Sequence, residues 1–74
     1  MKFPIYRKYK GIDVWFKINS LTNFIEYKRL GKKLIEHQVE AKIFPEQQFI
    51  RDMIDLHEDR WEKVSASEFK SFIN

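Results

Sequence analysis

The sequence has no cysteine and only two glycines among its 74 residues. Without cysteine the chain has no disulfide framework, no thiolate metal ligand and no thiol nucleophile, so we expect a reducing compartment, the cytoplasm. Two glycines are too few for the glycine-rich loop of a P-loop or dinucleotide-binding protein. No apolar run has the length of a signal peptide or a membrane-spanning helix, so we expect no membrane partner.

Groups that carry chemistry are also scarce. The only imidazoles are His37 and His57, and the alternating pattern around His37 predicts a partly buried structural histidine. The acidic residues near His57 lack the glycine turn of a calcium loop and are interpreted as a solvated helix face; they are Asp52, Asp55, Glu58 and Asp59. No serine lies in a nucleophile elbow. We therefore expect no catalytic residues, no bound metal, no cofactor and no small-molecule substrate.

The charge is distributed unevenly along the chain. Residues 1–33 contain nine Lys and Arg against two acids, net +7, whereas residues 34–74 contain five against nine, net −4. Either the folded surface is polarised and attracts polyanions at one end, or the two halves meet and neutralise each other. We favour the second interpretation.

What the sequence does contain is apolar and aromatic. Hydrophobic residues make up 43% and aromatic residues 16% of the chain, enough for one core in a single domain spanning residues 1–74. Residues 5–9 and 14–18, rich in aromatic and β-branched side chains, predict a β-hairpin that turns at Gly11.

Three helices and two further strands are predicted after the hairpin. A helix is indicated after Ile18 by apolar residues at Leu21, Phe24, Ile25, Tyr27 and Leu30, with Asn19 or Ser20 as its cap and Gly31 at its end. Strict alternation over residues 34–43 predicts a half-buried strand. Pro45 is well placed to begin a second helix, although residues 46–58 are also compatible with a strand. The strand Trp61–Val64 and the capping box Ser65-x-x-Glu68 precede a short third helix.

These elements predict an α+β fold of order ββαβαβα. The sheet would have about four antiparallel strands, with two or three helices packed mainly on one face and a strand order that remains open.

The basic and aromatic mixture of the hairpin is the strongest functional feature. One face of each strand combines rings with lysines, a pattern typical of surfaces on which bases stack while lysines follow phosphates. The candidate nucleic-acid-binding residues are Tyr6, Lys8, Lys10, Trp15 and Lys17. Tyrosine and tryptophan are also usual core residues, and Arg7 and Phe16 leave open which face is the core face.

Four segments follow one another in a distinctive order: Ile5–Tyr9, Trp15-Phe16-Lys17-Ile18, Glu40-Ala41-Lys42-Ile43 and the corner from Trp61 to Phe69. Over nearly the whole chain, this order resembles short uncharacterised proteins of Bacteroidetes-type bacteria. The resemblance implies a compact, stand-alone bacterial protein and carries no established activity onto any residue.

Taken together, the sequence favours a non-catalytic interaction module. Its partner would be another protein or a second copy of the chain, bound through an exposed sheet face or an edge strand. The alternative is non-specific nucleic-acid binding through the N-terminal hairpin.

Overall fold

A computed structural model describes residues 2–74. Over these residues the chain forms five strands, two α-helices and a short 3₁₀ turn, in the order ββββαβα with the 3₁₀ turn before the last strand. The elements are β1 (Ile5–Tyr9), β2 (Val14–Ser20), β3 (Asn23–Leu30), β4 (Lys33–Glu40), α1 (Phe44–Asp55), the 3₁₀ turn (His57–Asp59), β5 (Trp61–Val64) and α2 (Ala66–Ile73). The predicted α+β class is confirmed, but the predicted order ββαβαβα is wrong.

All five strands belong to one antiparallel sheet of order β4-β3-β2-β1-β5. The predicted hairpin is confirmed as β1 and β2, and Gly11 has φ +82° in its turn. The charged halves of the chain meet where β5 pairs with β1: Lys8 Nζ lies 3.7 Å from a Glu62 carboxylate oxygen and Lys10 Nζ 2.5 Å from Asp59. These pairs agree with the interpretation in which the two halves neutralise each other.

The predicted first helix is wrong, because residues 23–30 form strand β3. This strand lies inside the sheet, between β4 and β2, and its apolar side chains point to both faces. Phe24 faces α1, whereas Ile25 and Tyr27 face α2. Apolar residues on both faces of a strand imitate the spacing of a helical stripe.

The predicted caps of that helix act in turns instead. Ser20 Oγ accepts a hydrogen bond of 3.1 Å from the Thr22 backbone N–H in the β2–β3 turn. Gly31 has φ +62° in the β3–β4 turn. The positive φ expected at Gly31 is therefore confirmed, but it serves a hairpin turn rather than a helix end.

The helix after Pro45 is confirmed as α1, which excludes a strand over residues 46–55. Pro45 stands in the first turn, where its missing N–H costs nothing. The Glu46 side chain accepts hydrogen bonds from the free backbone N–H groups of Lys42 at 3.1 Å and Ile43 at 3.4 Å. Local capping therefore fixes where α1 begins.

The last predicted elements are also confirmed. β5 follows the 3₁₀ turn, and α2 begins with the expected capping box: Ser65 Oγ accepts from the Glu68 N–H at 3.1 Å, and the Glu68 carboxylate accepts from the Ser65 N–H at 3.1 Å. An eight-residue helix is marginal in water unless it docks. α2 docks through Phe69, which is 3% exposed.

The two helices lie on opposite faces of the sheet, contrary to the prediction that they share one. We call these the α1 face and the α2 face. On the α1 face, Phe49 of α1 packs 5.7–6.1 Å, centroid to centroid, from Phe16, Phe24 and Trp61. On the α2 face, Phe69 packs 4.5 Å from Tyr6 and 5.0 Å from Tyr27. The fold therefore has three layers, helix on sheet on helix, with aromatic side chains on both sides of the sheet.

Candidate functional site

The first surface of interest is the one predicted to bind nucleic acid. Tyr6 and Trp15 lie on the α2 face, where α2 covers them: the Tyr6 ring stacks on Phe69 at 4.5 Å and the Trp15 ring on Phe72 at 4.4 Å. The two rings predicted to stack on bases therefore pack against residues of the same chain.

The lysines of that surface are partly engaged as well. Lys8 Nζ donates to the Tyr9 carbonyl at 3.0 Å and lies 6.0 Å from the Trp15 ring. Lys10 pairs with Asp59, and half-buried Lys17 lies opposite Tyr6 in the sheet. The structure thus brings Tyr6, Lys8, Trp15 and Lys17 together and places Lys10 at the end of β1, beside the 3₁₀ turn. Binding of nucleic acid here stays a prediction, and base stacking on these rings would require α2 to move away.

The second surface is the free edge of the sheet at β4. In an antiparallel pair, residues alternate between those whose backbone groups bond to the neighbouring strand and those whose groups point away from it. The Ala41 N–H donates to the Thr22 carbonyl at 2.7 Å, in continuation of the β3–β4 register. The odd-numbered residues of β4 therefore bond to β3. The even-numbered ones present their N–H and C=O groups to the open edge; they are Leu34, Glu36, Gln38 and Glu40.

β4 is a long edge strand whose protection comes from the charged side chains of Lys33, Glu36 and Glu40. It has eight residues and an uninterrupted register with β3, without proline or bulge, which are devices that usually blunt such edges. The opposite edge, β5, has four residues and is bounded by the 3₁₀ turn and α2. The backbone groups of β4 are therefore the more accessible template for another strand.

Exposed apolar side chains accompany this edge on the α1 face. Seven large apolar side chains are exposed among residues 2–74, and four of them lie here. Leu30 is 57% and Ile35 43% exposed on the β3–β4 hairpin, and Ile43 is 60% and Phe44 73% exposed where α1 begins. Leu30 and Ile35 lie near the start of β4 and Ile43 and Phe44 lie beyond its end, so apolar side chains are exposed at both ends of this edge.

A shallow groove of about 320 Å³ lies between strands β3 and β4 and helix α1. Its walls are Phe24, Val39, Pro45, Glu46 and Phe49. The one charged wall residue, Glu46, directs a carboxylate oxygen to the amides of Lys42 and Ile43, so the groove presents mainly apolar surface. We call the free edge of β4, the four exposed apolar residues and this groove together the β4 surface.

The histidines and acidic residues do not form a reactive cluster. His37 lies on β4 opposite Glu26 and is exposed, so the prediction of a partly buried histidine is wrong. His57 Nε2 lies 3.4 Å from a Glu58 oxygen. The Arg60 guanidinium, at 2.6 Å from Glu58, lowers the pKa of that carboxyl. Among residues 2–74, no three His, Asp or Glu side chains are placed to hold a metal ion together.

One buried charge was not anticipated as a structural group. Arg7 is 9% exposed on the α1 face, and its guanidinium donates to the carbonyls of Met53 at 2.8 Å, Ile54 at 3.0 Å and Tyr6 at 2.9 Å. Met53 and Ile54 lie in the last turn of α1, which contains no basic residue of its own. Arg7 thus supplies, from the sheet, the cation that favours a helix C-terminus. Burial lowers the pKa of Arg7.

Comparison with known proteins yields no match to a family model, to a curated protein or to a solved structure. The resemblance to short proteins of Bacteroidetes-type bacteria therefore remains an expectation from the sequence. None of the helices over residues 2–74 is long and apolar enough to cross a membrane.

Proposed function

We propose that this protein is a non-catalytic interaction module that binds a polypeptide strand along the edge of β4. The observation that carries the proposal is the eight-residue free edge, whose outward N–H and C=O groups lie beside exposed apolar side chains. In strand addition, backbone hydrogen bonds supply affinity, and pockets that receive alternate side chains supply selectivity. The cysteine-free sequence supports the cytoplasm as the place where this occurs.

The groove suits the selective part of such binding. Val39 points to the α1 face from β4 and forms one wall of the groove. Alternate side chains of a strand added at β4 would point to this same face, next to Val39. An apolar side chain entering the groove would contact Phe24 and Phe49, which already belong to or pack against the core.

The alternative, nucleic-acid binding, is supported by the basic and aromatic residues of β1 and β2. We rank it second because Phe69 and Phe72 occupy the faces of the rings on which bases would stack. The β4 surface needs no rearrangement before it binds.

The proposal is tested by photo-crosslinking in the intact protein. A photoreactive amino acid replaces Glu36, at the open edge, or Asp13, an exposed residue of the β1–β2 turn. Adducts of defined mass are expected from position 36 and not from position 13. Adding Gln38→Pro to the position-36 protein removes one outward N–H and should reduce those adducts by roughly tenfold or more, since a lost hydrogen bond and a steric clash act together.

The matched control is Lys63→Pro. Lys10 N–H bonds to the Arg60 carbonyl in continuation of the β1–β5 register, so the backbone N–H of Lys63 points away from β1 at the other edge of the sheet. Both prolines therefore remove an outward amide from an edge strand, and circular dichroism confirms that each variant is folded. Adducts that persist with Gln38→Pro, or that vanish equally with Lys63→Pro, would contradict the proposal.

A further inference from the structure

The β4 surface also points to a specific partner. Resting on the proposed function, we infer that its occupant is a second copy of this chain, paired antiparallel through β4 about a twofold axis at His37. The two five-stranded sheets then join into one continuous sheet, in which the two β4 strands are paired at the centre.

The direction of the backbone groups restricts the possible registers. Only the even-numbered residues of β4 direct their backbone N–H and C=O groups to the open edge. A symmetric pair must therefore place even-numbered residues opposite even-numbered ones. The axis then passes through a residue rather than between two. With Ala41, whose N–H continues the β3–β4 register, counted as part of the edge, axes at Glu36, His37 and Gln38 give the longest overlaps.

Charge selects among these three axes. An axis at Glu36 places the two Glu36 carboxylates directly opposite each other, and an axis at Gln38 places Glu36 opposite Glu40 twice. Like charges in such positions destabilise a strand pair. The axis at His37 places Glu36 opposite Gln38 and Leu34 opposite Glu40, so no carboxylate faces another.

The same register accounts for the exposed apolar residues. On the α1 face it places Ile35 of each copy opposite Val39 of the other, a pair of β-branched side chains at the wall of the groove. The β3–β4 turn of one copy, with exposed Leu30, is carried towards Ile43 and Phe44 of the other. All four exposed apolar side chains of the β4 surface thus come to one interface.

The ends of the interface carry charges of both signs. Lys33 begins β4, whereas Glu40 ends it and Glu46 lies in the first turn of α1. With the axis at His37, Lys33 of one copy lies opposite Ala41 of the other on the α1 face, the side of Glu46, whereas Glu40 lies on the opposite face and Lys32 lies opposite Lys42. Antiparallel pairing therefore brings Lys33 of each copy to the side of Glu46 of its partner, twice per dimer.

Sedimentation velocity of the full chain over a range of concentrations tests this inference, with charge variants at Gln38 reporting the register. With the axis at His37, Gln38→Lys creates two attractive pairs with Glu36 and should tighten the dimer by roughly 2- to 30-fold, whereas Gln38→Glu should weaken it by a similar factor. Gln38→Pro should abolish the dimer, and Lys63→Pro should leave it unchanged.

Each other result contradicts the inference. If Gln38→Lys and Gln38→Glu both weaken the dimer, the axis lies at Gln38. If Gln38→Pro leaves the dimer unchanged, the dimer uses another surface. A wild-type chain that stays monomeric up to about 1 mM has no functional self-association. In that case, adducts of position 36 with a different protein would retain the proposed function, whereas the absence of adducts would reject both.

Discussion

Replacing Arg7 by methionine tests the account of how sheet and helix are joined. Methionine keeps much of the apolar stem but removes three hydrogen bonds, to the carbonyls of Met53, Ile54 and Tyr6. The Met53 carbonyl still accepts from the Leu56 N–H at 3.3 Å, whereas the Ile54 carbonyl at the helix end loses its guanidinium donor.

The expected size of the effect follows from two opposing contributions. A hydrogen bond from a charged group contributes about 1.5–3 kcal/mol net, and a cation at a helix C-terminus about 0.3–1 kcal/mol. The variant also avoids the desolvation of a guanidinium, which offsets part of the loss. We expect a net loss of about 2 kcal/mol in the free energy of unfolding, which lowers the Tm of a domain of this size by roughly 8–16 °C.

Urea and thermal unfolding, followed by circular dichroism, measure this loss. Arg51→Met is the control, because Arg51 is an exposed arginine on α1 itself and its loss should change stability by no more than about 0.5 kcal/mol. Arg7→Lys keeps the charge without the planar fork and should give an intermediate loss. Equal stability of Arg7→Met and Arg51→Met would refute the reasoning, since desolvation would then cancel the hydrogen bonds.

Three further predictions concern the α2 face. Phe69→Ala should cost about 3–5 kcal/mol, seen as a large fall in the urea midpoint, and a loss below about 1 kcal/mol would show that α2 does not hold the fold together. Burial, and then the Glu36 charge, raise the pKa of Tyr27. The stability that the neutral Tyr27 side chain contributes is complete below the unfolded-state pKa of about 10, and it is lost as pH rises through the pKa of the folded state. Between neutral and alkaline pH, the free energy of unfolding should therefore decline less steeply for Tyr27→Phe than for the wild type. Identical pH profiles of the two proteins would contradict this. Fluorescence anisotropy of labelled single-stranded DNA and RNA should show no binding at near-physiological salt; binding that persists there and is lost in folded Lys8→Glu/Lys17→Glu would favour the nucleic-acid alternative.

The error over β3 shows where local sequence patterns fail. Residues 23–30 follow a cap-like Ser20 and precede a glycine, and their apolar residues have near-helical spacing. In the fold, the same residues pair with β2 on one side and β4 on the other, with Phe24 facing one helix and Tyr27 facing the other. A strand buried on both faces loses the period-two alternation by which strands are recognised.

The sequence predicted the type of candidate site but not its location in the fold. The sequence suggested an edge strand or a sheet face, and the alternation around His37 correctly located β4. Which strand lies at the edge depends on the sheet order, and that order depends on β5 pairing with β1 across more than 50 residues of chain. The covering of Tyr6 and Trp15 depends on the docking of α2, which is equally non-local.

The sequence by itself determined the features that arise from neighbouring residues. Gly11 marks a turn because it takes positive φ at no steric cost, and Ser65 with Glu68 begins α2 because each satisfies the other's free N–H group. Only the tertiary structure decided that residues 23–30 are a strand, that the two helices cover opposite faces, and that Arg7 binds the end of α1. These outcomes depend on hydrogen bonds and burial between segments distant in the chain, for which a local pattern contains no information.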